Sequence, residues 1–182
     1  MSLRVIRPCS TFMIALALLL AANTIVPGCG SGGGSGGGDA SGGDSSTGRR
    51  AWIESDPVSP GGTTQVRLMI SNAARVAGLD LGLTFSGSAV SVLDVDSSPL
   101  TGEFVIAYNS SAPEALAVSM SHRTGLASGT GTGELLRITF AADASVPSGT
   151  RIPLSVASLS AYNAVPAQIR LTRVDGGEIY VQ

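Results

Sequence analysis

The chain has 182 residues, of which 13% are charged, with eleven basic against thirteen acidic side chains, one histidine and two cysteines. Every basic residue is arginine, and the net charge of −2 argues against nucleic acid as a partner. One histidine and two cysteines exclude a metal centre built from clustered ligands of those types.

Arg4 and Arg7 supply a cationic start, and the apolar run Phe12–Ala22 follows. That run is shorter than the roughly 20 residues a spanning helix needs, so it reads as a secretory signal. It ends at Val26-Pro27-Gly28-Cys29, which resembles the lipobox of bacterial lipoproteins, with Pro27 as a departure. The resemblance implies removal of residues 1–28 and acylation of Cys29, giving an exported protein held by lipid on a bacterial membrane, at the outer membrane or cell surface. Cys9 would leave with the signal, so the mature chain would keep one cysteine and no disulfide. Residues 29–50 then form a linker. Its Gly30–Gly48 tract holds little besides glycine and serine and lacks the apolar surface to order itself. As a coil it would reach on the order of 25 Å.

Beyond the linker, Ala51–Gln182 is the size of one domain. Its texture is short period-two segments between turns rich in glycine, proline, serine and asparagine. In chain order, Trp52 begins the first strand, where its ring is expected to pack against one end of the fold. Val66, Leu68 and Ile70 share a face, with Arg67 and Met69 opposite. Leu79, Leu81, Leu83 and Phe85 do the same, with Asp80, Gly82 and Thr84 turned away. Val90–Val95, Phe104–Asn109 and Leu116–Ser121 read as three further strands. Leu136, Ile138 and Phe140 form another inward row, followed by Ile152, Leu154 and Val156, then Ile169 and Leu171, then Ile179 and Val181. Eight or nine such strands hide their apolar faces by packing two sheets together, and the alternation points to antiparallel sheets solvated on one side. The expected class is an all-β, two-sheet sandwich.

Three segments carry a more specific likeness. The stretch from Val76 to Phe85, followed by Val92-Leu93, resembles the third and fourth strands of cohesin domains. The stretch from Gly133 to Phe140, after the loop Gly129-Thr130-Gly131-Thr132, is similar to a later strand of that family. Val174-Asp175-Gly176-Gly177-Glu178-Ile179-Tyr180-Val181 resembles its closing strand. The resemblance covers nearly all of Ala51–Gln182 and implies a nine-stranded jelly roll, shared with a group of carbohydrate-binding modules. Its usual work is docking a dockerin module borne by a polysaccharide-degrading enzyme across one sheet's outer face. The matching partner-binding positions are Gly78, Asp80, Tyr108, Ser119 and His122. Asp80 keeps the family's carboxylate, whereas Gly78 stands where an amide is common, Ser119 where an apolar anchor is common and His122 where a carboxylate is common. Met69, Met120, Leu135 and Tyr108 are further candidate anchors wherever they point outward, with Met120 assigned to the core. Calcium would enter only through the partner, because dockerins carry calcium loops and this chain shows none. No cofactor or metal is expected of the chain itself.

Catalysis finds little to work with, so the chain is read as a non-enzyme. His122 is the sole histidine, no Gly-x-Ser-x-Gly elbow occurs in Ala51–Gln182, and Asp94 and Asp96 read as a solvated pair beside a turn rather than a glycosidase dyad. The rival readings are a carbohydrate-binding module, which would display aromatic rings such as Trp52, Tyr162 and Tyr180, and a structural surface domain with no dedicated ligand.

Overall fold

The computed structural model describes residues 48–182; Cys9, Cys29, the signal segment and the linker as far as residue 47 lie outside them. Among the described residues there are eleven strands and no helix. They are β1 (Arg49–Ser55), β2 (Thr63–Ile70), β3 (Gly78–Thr84), β4 (Val90–Ser97), β5 (Val105–Asn109), β6 (Ala115–Ser121), β7 (Gly133–Ala142), β8 (Arg151–Tyr162), β9 (Gln168–Ile169), β10 (Leu171–Asp175) and β11 (Gly177–Tyr180).

These strands build two sheets, ordered β10-β1-β2-β7-β4 and β11-β8-β3-β6-β5, with β9 paired to β8. The chain crosses repeatedly from one layer to the other, as a jelly roll does. All named pairs are antiparallel except β1 with β10. The expected alternation is what lets the layers stack. Val66, Leu68 and Ile70 from one sheet and Leu79, Leu81 and Leu83 from the other are all buried in one continuous core. At its centre the Phe85 and Phe140 rings meet edge to face with centroids 5.1 Å apart, the geometry their quadrupoles favour.

The sandwich closes differently at its two sides. On one side β10 and β11 flank β1, the Val58 N–H donates to the Tyr180 carbonyl at 2.9 Å, and Val58 bridges to Val181. On the other side the free edges β4 and β5 face each other with few contacts.

Several expected boundaries shift for identifiable reasons. The eleven strands exceed the eight or nine expected partly because the Ile169–Leu171 segment divides at Arg170, β9 staying with β8 and β10 joining β1 in the other sheet. β1 opens at Arg49, so the two arginines placed in the linker pair instead with Leu171 and Arg173. Trp52 is mid-strand and does not pack against the sandwich end. Its neighbours Ala51 and Ile53 are buried, so the pleat turns the indole to the outer face of the β1-β2 sheet. There Nε1 donates to Glu54 Oε1 at 2.7 Å, and the Arg50 guanidinium lies 5.4 Å over the ring.

Candidate functional site

Because residues paired across antiparallel strands share a face, the registers define the outer surface of the β8-β3-β6-β5 sheet. Its rows are Tyr162–Gly78–Ser121–Val105, Ser160–Asp80–Ser119–Ala107 and Ser158–Gly82–Ala117–Asn109. The alternate residues Leu79, Leu81, Leu116, Val118 and Met120 are buried, so the same pleat that makes the core makes this surface. Small side chains dominate it, leaving a flat platform with few projecting groups.

Asp80 sits near the middle of that platform and is exposed. Ser119 Oγ donates to its Oδ1 at 2.5 Å across the β3–β6 pair. Among the described residues no ion pair includes Asp80, whereas on the opposite sheet Arg50 and Arg173 neutralise Asp175, Arg67 pairs with Asp56, and Arg137 pairs with Glu134. The platform therefore presents an unneutralised carboxylate. Two shallow depressions flank it. One, of about 340 Å³, lies around Gly78, Ser121, Tyr162 and Pro166; the other, of about 230 Å³, lies around Gly82, Ala115, Ala117 and Ala157.

Of the five sequence-derived partner positions, the sheet brings Gly78, Asp80 and Ser119 together. It does not bring Tyr108 to them. Tyr108 pairs with Val118, a core residue, so its ring leaves β5 on the inner side and reaches across the open edge, where its hydroxyl lies 3.4 Å from Asp94 Oδ1. His122 follows β6 at the sandwich end. Its ring stacks on Phe104 with centroids 5.1 Å apart, and its Nδ1 accepts the Gly125 N–H at 3.1 Å. That bond serves the tight turn at Gly125 (φ +73°), although His122 also borders the larger depression. Met120 and Leu135 are buried and Met69 lies on the opposite sheet, so none of the three anchors this face.

Sequence reasoning missed the contribution of β8. Ile152, Leu154 and Val156 face inward, but the register shifts between Gly82 and Leu83, leaving Ala157 unpaired. That bulge reverses the parity, so Leu159 and Ala161 turn inward and Ser158, Ser160 and Tyr162 turn out. The only sequence signal was the change from even to odd apolar positions after Val156.

Among the described residues, this flat face of small side chains brings no acid, base or nucleophile groups together in a cleft. The cohesin fold is what the described residues adopt. The sixth cohesin of the Acetivibrio cellulolyticus scaffoldin B, solved in complex with a mutant dockerin, superposes with a TM-score of 0.64 at 18% identity, covering 75% of this chain and 100% of that one. A non-cellulosomal cohesin from the archaeon Archaeoglobus fulgidus gives 0.62 at 19% identity, covering 74% and 91%. The OlpA cohesin of Clostridium thermocellum, also in complex with a dockerin, gives 0.63 at 14% identity, covering 74% and 99%. No protein-family model and no curated protein sequence matches the chain.

Proposed function

We propose that this protein is a cohesin-type docking module whose β8-β3-β6-β5 outer face holds a dockerin-like partner, and that it is not an enzyme. The observation that carries this reading is the unneutralised Asp80 carboxylate, oriented by Ser119 on a platform of small residues. Binding energy concentrates in a few desolvated anchors. Here the projecting anchors must come from the partner, seated in the depressions beside Asp80, with a cation or hydrogen-bond donor meeting the carboxylate. The solved cohesins of Acetivibrio cellulolyticus and Clostridium thermocellum that share the fold are in complex with dockerins, which supports the choice of partner.

The same proposal places the module on a leash. Acylation of Cys29, ahead of the glycine- and serine-rich tract, would hold the docked partner at the cell surface, and a carbohydrate-active enzyme there would act on polysaccharide outside the cell. Direct sugar binding through Trp52 is the weaker reading, because Arg50 lies over that ring and competes with a stacked sugar.

Calorimetry of the full chain against dockerin modules encoded by the same genome tests the proposal. At least one is expected to bind, with Asp80→Ala weakening it by more than about 1 kcal/mol; heat with none of them, or indifference to Asp80, would refute it. Palmitate labelling that depends on Cys29 tests the anchor separately.

A further inference from the structure

The four strands that end the two sheets are protected very differently. β10 carries Arg173 and Asp175, and β4 carries Asp94 and Asp96 together with a register shift between Val92 and Asp94. β11 carries Glu178, whose carbonyl accepts from Ser55 Oγ, while Val58 pairs with Tyr180 and Val181 beside it. Charges, bulges and covering segments are the devices that stop an edge from recruiting another strand. β5, Val105-Ile106-Ala107-Tyr108-Asn109, has no charge, no proline and no register shift in its pairing to β6. Val105 is 73% and Tyr108 44% exposed, and β4 reaches the free side only where Asp94 Oδ1 lies 3.4 Å from the Tyr108 hydroxyl.

We propose that β5 is a self-association edge, pairing antiparallel with β5 of a second copy of this chain about a two-fold axis at Ala107. That register is the one that pairs all five residues. It sets Val105 against Asn109 of the other copy on the outer side and Ile106 against Tyr108 on the inner side, and it brings no like charges into opposition. A copy of the chain fits better than a charged partner because the strand itself offers no charge to complement, and antiparallel symmetry lets each unpaired backbone group meet its counterpart. The two platforms then continue as one sheet and both Asp80 carboxylates stay open. Five residues per copy bury far less than the roughly 800 Å² per partner of a stable complex, so the pairing is transient and depends on local concentration.

Directly opposed residues in such a pair have Cβ atoms about 4.5–5.5 Å apart, near enough for a disulfide with slight adjustment. In the full chain, Ala107→Cys is therefore expected to form cross-linked dimer under a mild oxidant several-fold above both the unsubstituted chain, which reports Cys9 and Cys29, and Ala117→Cys on the same face. In the Ala107→Cys background, Val105→Asp with Asn109→Asp opposes like charges and is expected to bring the dimer down to the Ala117→Cys level. Val105→Arg with Asn109→Asp opposes unlike charges and is expected to retain it. Both sites are exposed, and aspartate at 109 preserves the acceptor for the Ser111 N–H. Cross-linking of Ala107→Cys no greater than of Ala117→Cys, or equal cross-linking by the two double variants, would overturn the proposal.

Discussion

Ser119 and Asp80 face each other across the β3–β6 pair, the serine hydroxyl donating to the carboxylate at 2.5 Å on an exposed surface. The bond fixes the direction of the carboxylate without neutralising it. Exposed polar pairs contribute little to folding, so Ser119→Ala and Asp80→Ala are each predicted to change unfolding free energy by less than about 0.5 kcal/mol. Urea denaturation checks this. A larger loss would mean that the pair is structural rather than reserved for a partner.

The core carries the stability instead. Phe140 is fully buried and meets Phe85 edge to face, so Phe140→Ala is predicted to cost about 3–5 kcal/mol. The urea midpoint should fall accordingly, because the described residues contain no cysteine to form a compensating cross-link.

The turn after β6 depends on a left-handed glycine. At Gly125 (φ +73°) an added Cβ would lie 2.9 Å from the Ala77 Cβ and 3.0 Å from the Val76 carbonyl oxygen, whereas at Gly129 it would meet nothing within 4 Å. Gly125→Ala is therefore predicted to cost at least about 1–2 kcal/mol. Gly129→Ala is predicted to stay within about 0.5 kcal/mol of the parent. Thermal unfolding of the two variants side by side distinguishes them.

A buried hydroxyl pair ties the β4–β5 connection to β7. Thr101 Oγ1 donates to the Leu135 carbonyl at 2.8 Å and accepts the Ser98 N–H at 3.0 Å, and Ser98 Oγ donates to the Glu134 carbonyl. Thr101→Val takes the side-chain partner from the Leu135 carbonyl and the Ser98 N–H, with a predicted cost of about 1–3 kcal/mol. Hydrogen exchange at Ser98 should accelerate in step.

Stability should also respond to acid at one named carboxylate. Arg173 and Arg50 each donate to Asp175 at 2.7 Å, which holds its carboxyl below the usual aspartate range. A depressed carboxylate contributes stability that is fully present above its unfolded pKa of about 3.9 and is lost as pH falls through the folded value. Asp175→Asn should thus lower the urea midpoint at neutral pH, with the difference shrinking below about pH 4 and vanishing in stronger acid. A difference independent of pH would contradict that origin.

How far the residues alone foretell this molecule depends on where the pleat runs unbroken. In β2, β3 and β6 the alternation is regular, so the facing of Leu68, Leu81 and Asp80 follows directly from it. In β8 the bulge at Ala157 reverses parity, which hid Ser158, Ser160 and Tyr162 from any count of alternate positions. In β7 both Leu135 and Leu136 are buried at a register shift opposite Leu68 and Met69. Tyr108 illustrates a different limit. Its side of β5 is set by pairing with Val118, a long-range register that no local pattern encodes. For Trp52 a place at the start of the first strand implies packing at the sandwich end, whereas β1 begins three residues earlier and the burial of Ala51 and Ile53 turns the ring outward.

Titration calorimetry of a bound dockerin module against three forms of the full chain gives the most direct test of the docking face. Ala117→Arg plants a long cation in the small-residue platform, and Gln65→Arg plants the same group on the outer face of the opposite sheet. The account predicts that Ala117→Arg abolishes binding while Gln65→Arg leaves it within about twofold of the parent. Binding retained by Ala117→Arg, or lost with Gln65→Arg, would contradict it.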